Sequence, residues 1–351
     1  MKAPTSLLAA GLASVALAGP AIAAETLTVS SWGGPNHGIN TIVWPTWKAW
    51  IEEATEGRVT LDVVHDMGPP AAQMALVADG VADASWIFHG HMAGRFELTR
   101  LPEFPTFEDF TSEIASAAYW RTYETYLAEQ GEHRGVDVLA VGVHGPGQIF
   151  TADKAESFAD FEGQRLRVGG GVMSDLASAM GVTGVALPPT GVYESASQGV
   201  IDGAMLTLEG LRSFRVAEVA PYTLTVDGGF YRGSFAIVVN PYFWDRISAE
   251  DKAAIEDVSG ESLSRLFGYM MDVSDERGVA FAEELGHTFT EATAEDIAML
   301  REVSDGLIDE WADKVSSGEL DAREALEFFR DQLGQVDAEA GIVDRVVTTE
   351  G

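Results

Sequence analysis

The sequence predicts an α/β protein with two lobes, mixed β-sheets, hinge strands between the lobes and one unusually long helix. A chain of 351 residues is long enough for two domains. Its 46% of hydrophobic residues can fill two cores. Short apolar strands alternate with segments of helical spacing, which is typical of sheets covered on both faces. Without a flexible linker, the lobes have to be joined by chain crossings, with a cleft and a hinge between them.

The first part of the chain has a β-α-β-α-β order. Val- and Thr-rich runs bounded by glycine or proline predict strands at 26–31, 58–64 and 84–88. Apolar residues at helical spacing predict helices at 39–54 and 71–78. This order indicates parallel strands with helices between them.

The same rhythm returns in the second part of the chain. Strands are predicted at 135–143, 165–168, 185–187, 204–206 and 234–239, and helices at 172–180, 193–199, 293–316 and 322–333. From Ser248, with Asp251 in the capping-box position, helical spacing continues to about Leu285 without a proline, which predicts a single long helix. Thr293 is the predicted cap of the helix that follows.

These elements lead to a predicted division of the chain into two discontinuous lobes. Lobe I is expected to contain residues 25–147 and 236–275, and lobe II residues 148–235 and 276–351. Residues 1–24 precede both lobes.

Residues 1–24 are typical of a secretory signal peptide. Lys2 precedes an apolar run at 7–18, and Ala21-Ile22-Ala23 matches the small-x-small cleavage pattern. A membrane anchor is the alternative, but the run is shorter than the roughly 20 residues that a span needs. We therefore expect a mature protein that is free in the periplasm or outside the cell.

Composition and missing motifs narrow the function further. The 55 acidic residues outweigh the 22 basic ones, and the net charge of −33 disfavours nucleic acids and anionic membranes as partners. The chain has no cysteine and lacks the nucleophile-elbow, Walker A and H-E-x-x-H patterns, so an enzyme is disfavoured. No cofactor is expected.

Histidines near predicted strand ends raise the question of a metal. His89 and His91 flank Gly90 directly after a strand, and His37, His65 and His144 also lie near strand ends. Two histidines on one face could bind the same ion. Polar loop residues or hydrogen-bonded wall residues are the alternative, which we favour.

Arg167 stands out because it lies between Leu166 and Val168 in a strand suited to burial. A buried guanidinium is costly unless an anion meets it. An internal Asp or Glu partner, or an exposed edge strand, would explain it. A ligand carboxylate is the functional explanation, since the planar fork of arginine suits bidentate binding.

Aromatic residues gather at the ends of predicted strands. Trp32 follows the first strand, Phe88 ends the third, and Phe230 and Tyr231 precede the strand at 234–239. Most buried aromatic side chains are core residues, but ligands of α/β sheets bind at the carboxyl ends of strands. Trp32, Phe88 and Tyr231 are therefore candidate ligand contacts.

The run at 161–219 resembles the signature stretch of the solute-binding proteins of tripartite ATP-independent periplasmic (TRAP) transporters, the DctP family. The pattern includes the strand Arg165 to Val168, the pair Leu187-Pro188, and Val192-Tyr193 followed by Gly199 to Gly203. The resemblance extends over nearly all of the mature chain. It implies a two-lobed periplasmic binding protein with a domain-spanning helix, which closes on its ligand and delivers it to a two-subunit membrane permease.

The resemblance also implies roles for single residues. Arg167 matches the arginine with which such proteins hold a ligand carboxylate. Gln148 replaces a second arginine of many members, and Met205-Leu206-Thr207 replaces the Glu-Asn-Pro of many sialic-acid and dicarboxylate binders. The expected ligand is thus an aromatic monocarboxylate such as a benzoate or hydroxybenzoate.

The expected contacts and the alternatives complete the hypothesis. The candidate ligand-binding residues are Arg167, Gln148, Trp32, Asn36, Phe88, His89, His144, Leu206 and Tyr231. Among them, His89, His144 and Gln148 would contact ring hydroxyls. An aliphatic hydroxy acid or sugar acid is the alternative ligand, and a chemoreceptor is the alternative partner. The family implies a monomer.

Overall fold

The computed structural model describes residues 24–318, 320–337 and 341–347. The predicted signal peptide at 1–24 lies outside these residues except for Ala24. In the part of the chain that the structure describes, no helix combines the length and the apolar character that crossing a bilayer requires.

The described residues form an α/β structure with two sheets. The strands are β1 (Glu25–Ser31), β2 (Val59–His65), β3 (Ala84–Phe88), β4 (Asp137–Val143), β5 (Gly147–Thr151), β6 (Arg165–Val168), β7 (Thr183–Ala186), β8 (Gly203–Thr207), β9 (Tyr222–Thr225), β10 (Ser234–Val239) and β11 (Thr288–Glu291). The α-helices are α1 (Trp44–Ala54), α2 (Gln73–Ala78), α3 (Ser112–Thr122), α4 (Gly171–Ala179), α5 (Val192–Ser197), α6 (Gly210–Ser213), α7 (Ala249–Asp257), α8 (Gly260–Glu284), α9 (Ala294–Val315) and α10 (Ala322–Leu333).

Both sheets are mixed, which confirms the predicted fold class. Sheet I has the strand order β2-β1-β3-β10-β4, and sheet II has the order β11-β9-β5-β8-β6-β7. In sheet I, β10 runs antiparallel to β3 and β4, while β1 runs parallel to β2 and β3. In sheet II, β5 runs antiparallel to β8 and β9, and the other pairs are parallel.

The chain crosses between the sheets several times. Three residues separate the end of β4 in sheet I from the start of β5 in sheet II, and the segment after β9 leads back to β10. Helix α8 also spans both lobes, since Phe267 packs on Gly142 of β4 and Gly278 lies against the backbone of Leu208 after β8. These crossings connect the two sheets.

The single helix predicted from Ser248 to Leu285 is wrong, because the structure divides it into α7 and α8. Ser248 does cap α7, as predicted, with its Oγ accepting from the Asp251 N–H. The break comes at Gly260, whose φ of +56° lies outside the helical range and whose Cα faces the Trp120 ring. Apolar spacing continues through such a break, so spacing alone does not reveal it.

The C-terminal elements pack on both lobes. Helix α10 contacts α3, which itself packs on β4 and α8, and α9 contacts α4. Farther on, Trp50 Nε1 of α1 donates to the Arg345 carbonyl at 3.0 Å. The division of the chain at residues 147, 235 and 275 stays a prediction.

Candidate functional site

A cavity lies between the two sheets, where the carboxyl ends of β1, β3, β6 and β8 meet. Its lining residues are Trp32, His37, Trp86, Phe88, His91, His144, Arg167, Met173, Pro189, Leu206, Thr207, Glu209, Phe214, Tyr231, Phe235 and Met271. Both lobes supply walls, so a ligand here would contact both.

Arg167 is the cation of this cavity. Its residue is only 2% exposed, and its Nε and Nη1 donate to the carbonyls of Leu187 and Met205, both at 2.9 Å. Within the described residues no carboxylate lies within 4 Å of the guanidinium, so neither internal explanation from the sequence applies. Burial lowers the pKa of Arg167 to about 10. The site therefore holds a buried cation that a ligand anion would stabilise.

Several buried polar atoms around the cavity lack a hydrogen-bond partner among the described residues. They are the Nε1 of Trp86, both ring nitrogens of His91, the Oε2 of Glu209 and the hydroxyl of Tyr231. An unsatisfied buried polar group costs about 1–3 kcal/mol. Their convergence on one cavity is what a binding site for a polar molecule requires.

Aromatic rings form flat walls. The rings of Trp32 and Trp86 stack with centroids 3.9 Å apart and planes at 3°, and Phe235 continues the stack at 5.7 Å from Trp86. The Phe88 ring meets the His91 ring edge to face at 4.8 Å. These walls suit a planar apolar ligand body.

The cavity histidines near Arg167 are neutral. Burial, followed by the charge of Arg167, lowers the pKa of His91 to about 4. Burial also lowers the pKa of His144 to about 4, against the effect of its hydrogen bond to the Gly145 carbonyl. His144 Nδ1 lies 2.6 Å from that carbonyl, which only accepts, and 3.3 Å from the Gly233 N–H. Since the contact with the carbonyl is much the shorter of the two, we assign the proton to this nitrogen.

A carboxylate also lines the cavity. Glu209 is 4% exposed, and its Oε1 lies 3.6 Å from His37 Nε2. His37 Nδ1 accepts from the Ile39 N–H at 3.1 Å, so the ring proton lies on Nε2 and faces Glu209. Burial would raise the pKa of Glu209, but the effects of His37, Ser213 and His144 together outweigh burial, and the pKa lies below its usual range.

The structure brings most of the candidate residues together. Arg167, Trp32, Phe88, His144, Leu206 and Tyr231 all line the cavity.

Three other candidates lie elsewhere. The Gln148 amide is used by the backbone of Val226, donating to its carbonyl at 3.0 Å and accepting from its N–H at 2.8 Å. The His89 ring lies away from this cavity, 3.0 Å from both the Ser234 hydroxyl and the His133 ring. Asn36 is exposed on its loop.

The histidines do not assemble a metal site. His89 and His91 point to different surroundings, and His65 is exposed at the end of β2. Across the described ranges, no group of three or more His, Asp or Glu side chains is placed to hold a metal ion.

Sequence reasoning missed several cavity residues, some of which had a signal. Trp86 lies two residues before Phe88 on β3 and so shares its face. Phe235 pairs with Phe88 across the β3/β10 register. Glu209 and Phe214 flank the short helix α6 after β8, and no strand alternation or strand pairing points to them.

Comparisons with known proteins agree with this geometry. The model of the bacterial extracellular solute-binding proteins, family 7, matches residues 32–314. A TRAP periplasmic solute-binding protein from Bordetella bronchiseptica with bound (R)- and (S)-mandelate is 33% identical, with a TM-score of 0.85 over 89% of this chain and 99% of that one. A marine metagenome TRAP protein specific for aromatic acids, crystallised with 3-hydroxybenzoate, is 25% identical, with a TM-score of 0.82 over 90% and 99%. The outer membrane transporter protein TsaT of Comamonas testosteroni is 28% identical over 88% of this chain and 91% of its own.

Proposed function

We propose that the ligand of this protein is an aromatic monocarboxylate such as benzoate or a hydroxybenzoate. The chain belongs to the bacterial extracellular solute-binding proteins, family 7, and is a TRAP solute-binding protein. One observation carries the proposal: a buried guanidinium without a carboxylate partner among the described residues lies at a cavity with stacked aromatic walls. The aromatic acids bound by the two solved relatives support it.

Each side chain of the cavity has a proposed contact with the ligand. The ligand carboxylate meets Arg167, whose Nη2 remains for an anion, and the Tyr231 hydroxyl donates beside it. The ring lies against Trp32 and Trp86. A sugar acid would place hydroxyl groups against Leu206 and other apolar side chains that line the cavity. Binding would then cost free energy, because these hydroxyl groups would lose their hydrogen bonds to water.

Capture is a change in population between open and closed lobes. A ligand that contacts both lobes stabilises the closed form by its differential affinity. A micromolar ligand has about 8 kcal/mol in total, of which a charge-assisted pair supplies about 1.5–3 kcal/mol. The Arg167 contact is therefore a substantial share of the binding free energy.

The setting of this function is part of the proposal. After removal of residues 1–24, the protein acts as a monomer in the periplasm and hands its ligand, chemically unchanged, to the small and large permease subunits. The family's role as the binding component of a transporter supports this, as does the signal-peptide pattern of the sequence.

A thermal-shift screen of the mature protein tests the ligand class, since a ligand that binds only the folded state raises its melting temperature. The protein is unfolded and refolded first to remove copurified ligand. We expect benzoate, 3-hydroxybenzoate or mandelate to raise the melting temperature, and succinate and gluconate to leave it unchanged. Stabilisation by succinate or gluconate alone would overturn the aromatic ligand. Recovery of an altered acid by chromatography would overturn simple binding.

A further inference from the structure

The cavity has a second charged group, Glu209. Its residue is 4% exposed, and its Oε2 is buried and has no hydrogen-bond partner among the described residues. Its other oxygen faces the proton on His37 Nε2 at 3.6 Å. The backbone N–H of Glu209 donates to Asp275 Oδ1 at 2.6 Å, which fixes the start of its segment. One acceptor oxygen is thus held in place and unused.

The two charges of the cavity do not neutralise each other. Arg167 and Glu209 both line it, but no nitrogen–oxygen contact within 4 Å joins them. His144 is within electrostatic reach of both, and its ring is neutral. The cavity is therefore lined by the Arg167 cation, the Glu209 anion and aromatic side chains.

We infer that Glu209 selects the ligand, accepting a hydrogen bond from a hydroxyl group of the aromatic acid that Arg167 holds by its carboxylate. This inference rests on the proposed function and deepens it: the preferred ligands are hydroxylated aromatic monocarboxylates, and aromatic dicarboxylates are rejected. His37 is the positioning residue, since its Nε2 lies 3.6 Å from one carboxylate oxygen and the other oxygen is left for the ligand.

The charge of Glu209 explains both the preference for a ligand hydroxyl group and the rejection of a second ligand carboxylate. A hydrogen bond to an ionised acceptor is about twice as strong as a neutral one, so a ligand hydroxyl gains much from Glu209. A second ligand carboxylate would meet Glu209 in a low-dielectric cavity, where like charges repel strongly. Asp275 next to Glu209 adds no positive charge that could relieve this repulsion.

The test compares matched ligands in matched variants by calorimetry. The ligands are benzoate, its three monohydroxy isomers and isophthalate, and the variants are the wild type, E209Q, and the control E218Q on an exposed residue outside the cavity. In the wild type, we expect the best hydroxybenzoate to bind about tenfold tighter than benzoate. In E209Q this preference falls to about twofold and isophthalate binds more tightly, while E218Q behaves like the wild type.

The opposite signs for hydroxybenzoate and isophthalate separate selection from a structural role, which would weaken both ligands. Equal binding of benzoate and all hydroxybenzoates to the wild type, with E209Q unchanged, overturns the inference but leaves the proposed function standing. Failure of all these acids to bind the wild type overturns the proposed function itself. Should E209Q not fold, E209D withdraws the carboxylate by one methylene and is expected to lose the same preference.

Discussion

The Arg167 guanidinium lies inside sheet II, where its hydrogen bonds to the Leu187 and Met205 carbonyls do not supply a counter-charge. Burial lowers its pKa to about 10, yet the group stays charged at neutral pH. At the residue scale, function thus depends on a charge that the fold buries and leaves for the ligand to pair. Tyr231, whose hydroxyl has no hydrogen-bond partner among the described residues, lies within electrostatic reach of Arg167.

Replacing Arg167 with methionine is expected to weaken aromatic acid binding between about tenfold and a hundredfold, because it removes a charge-assisted pair. The ligand-free melting temperature should change little, since relief of the buried charge offsets two lost hydrogen bonds. Arg165→Met is the matched control: Arg165 is exposed on the same strand and pairs with Asp202 at 2.6 Å. Calorimetry that gave the same affinity for Arg167→Met as for wild type would contradict the role of this residue.

Replacing Tyr231 with phenylalanine removes a buried hydroxyl that has no partner among the described residues. We expect about tenfold weaker ligand binding, because the ligand carboxylate loses one donor, and an unchanged or higher ligand-free melting temperature. Calorimetry and thermal melts measure the two effects. A lower melting temperature with full affinity would show that the hydroxyl serves the fold instead.

At the scale of elements, the N-terminus of α4 joins the lobes. Glu103, from the lobe of sheet I, accepts from the Val172 N–H of α4 at 2.9 Å and from the Ser234 hydroxyl at 2.6 Å. Arg100 pairs with Asp175 of α4 at 2.9 Å. These hydrogen bonds and this ion pair connect the two lobes in the structure.

Ligand affinity is expected to depend on pH through Glu103. Burial raises its pKa from 4.5 to about 7 in this structure, against smaller opposing effects of Ser234, Val172 and Arg100. If opening restores hydration, closure takes up a proton. A raised acid pKa stabilises the closed form fully below pH 4.5, and this contribution is lost as the pH rises through about 7.

We therefore expect tighter binding at pH 6 than at pH 8 in the wild type and a flatter profile in Glu103→Gln. Calorimetry in buffers of different ionisation enthalpy measures the proton uptake directly. An identical pH profile in the variant would assign the dependence to other groups.

At the scale of the whole molecule, an acidic protein captures an anion. The net charge of −33 repels a carboxylate at a distance, while the local guanidinium attracts it inside the cavity. At physiological ionic strength the Debye length is about 8 Å, so the surface charge is largely screened before the ligand reaches the cleft.

The association rate of the aromatic acid is accordingly expected to rise with salt between about 10 and 150 mM, because screening weakens the long-range repulsion. Stopped-flow fluorescence can follow binding through Trp32 and Trp86, which line the cavity. A rate that falls with salt would show that positive potential at the cleft outweighs the net charge.

The local pattern of apolar and polar residues predicted many of the strands and helices, but not all of them. The bounds of β3, β6, β10 and α10 agree with those predicted. Helix α3 and strands β5, β9 and β11 were not predicted. Helix α3 buries Ser112, Ser116 and Thr122 beside its apolar side chains, which weakens the apolar spacing that indicates a helix. The identity of these elements depends on neighbours that lie far away in the chain.

The family, the fold class and the importance of Arg167 follow from the sequence, because the signature motif and a charge inside an apolar strand are local features. Which polar groups share the cavity depends on how distant segments pack. Gln148 binds the Val226 backbone instead of facing the ligand, and Glu209 meets His37 from the other lobe. Residue spacing specifies the face of one element, whereas packing of both lobes decides which side chains from distant segments meet.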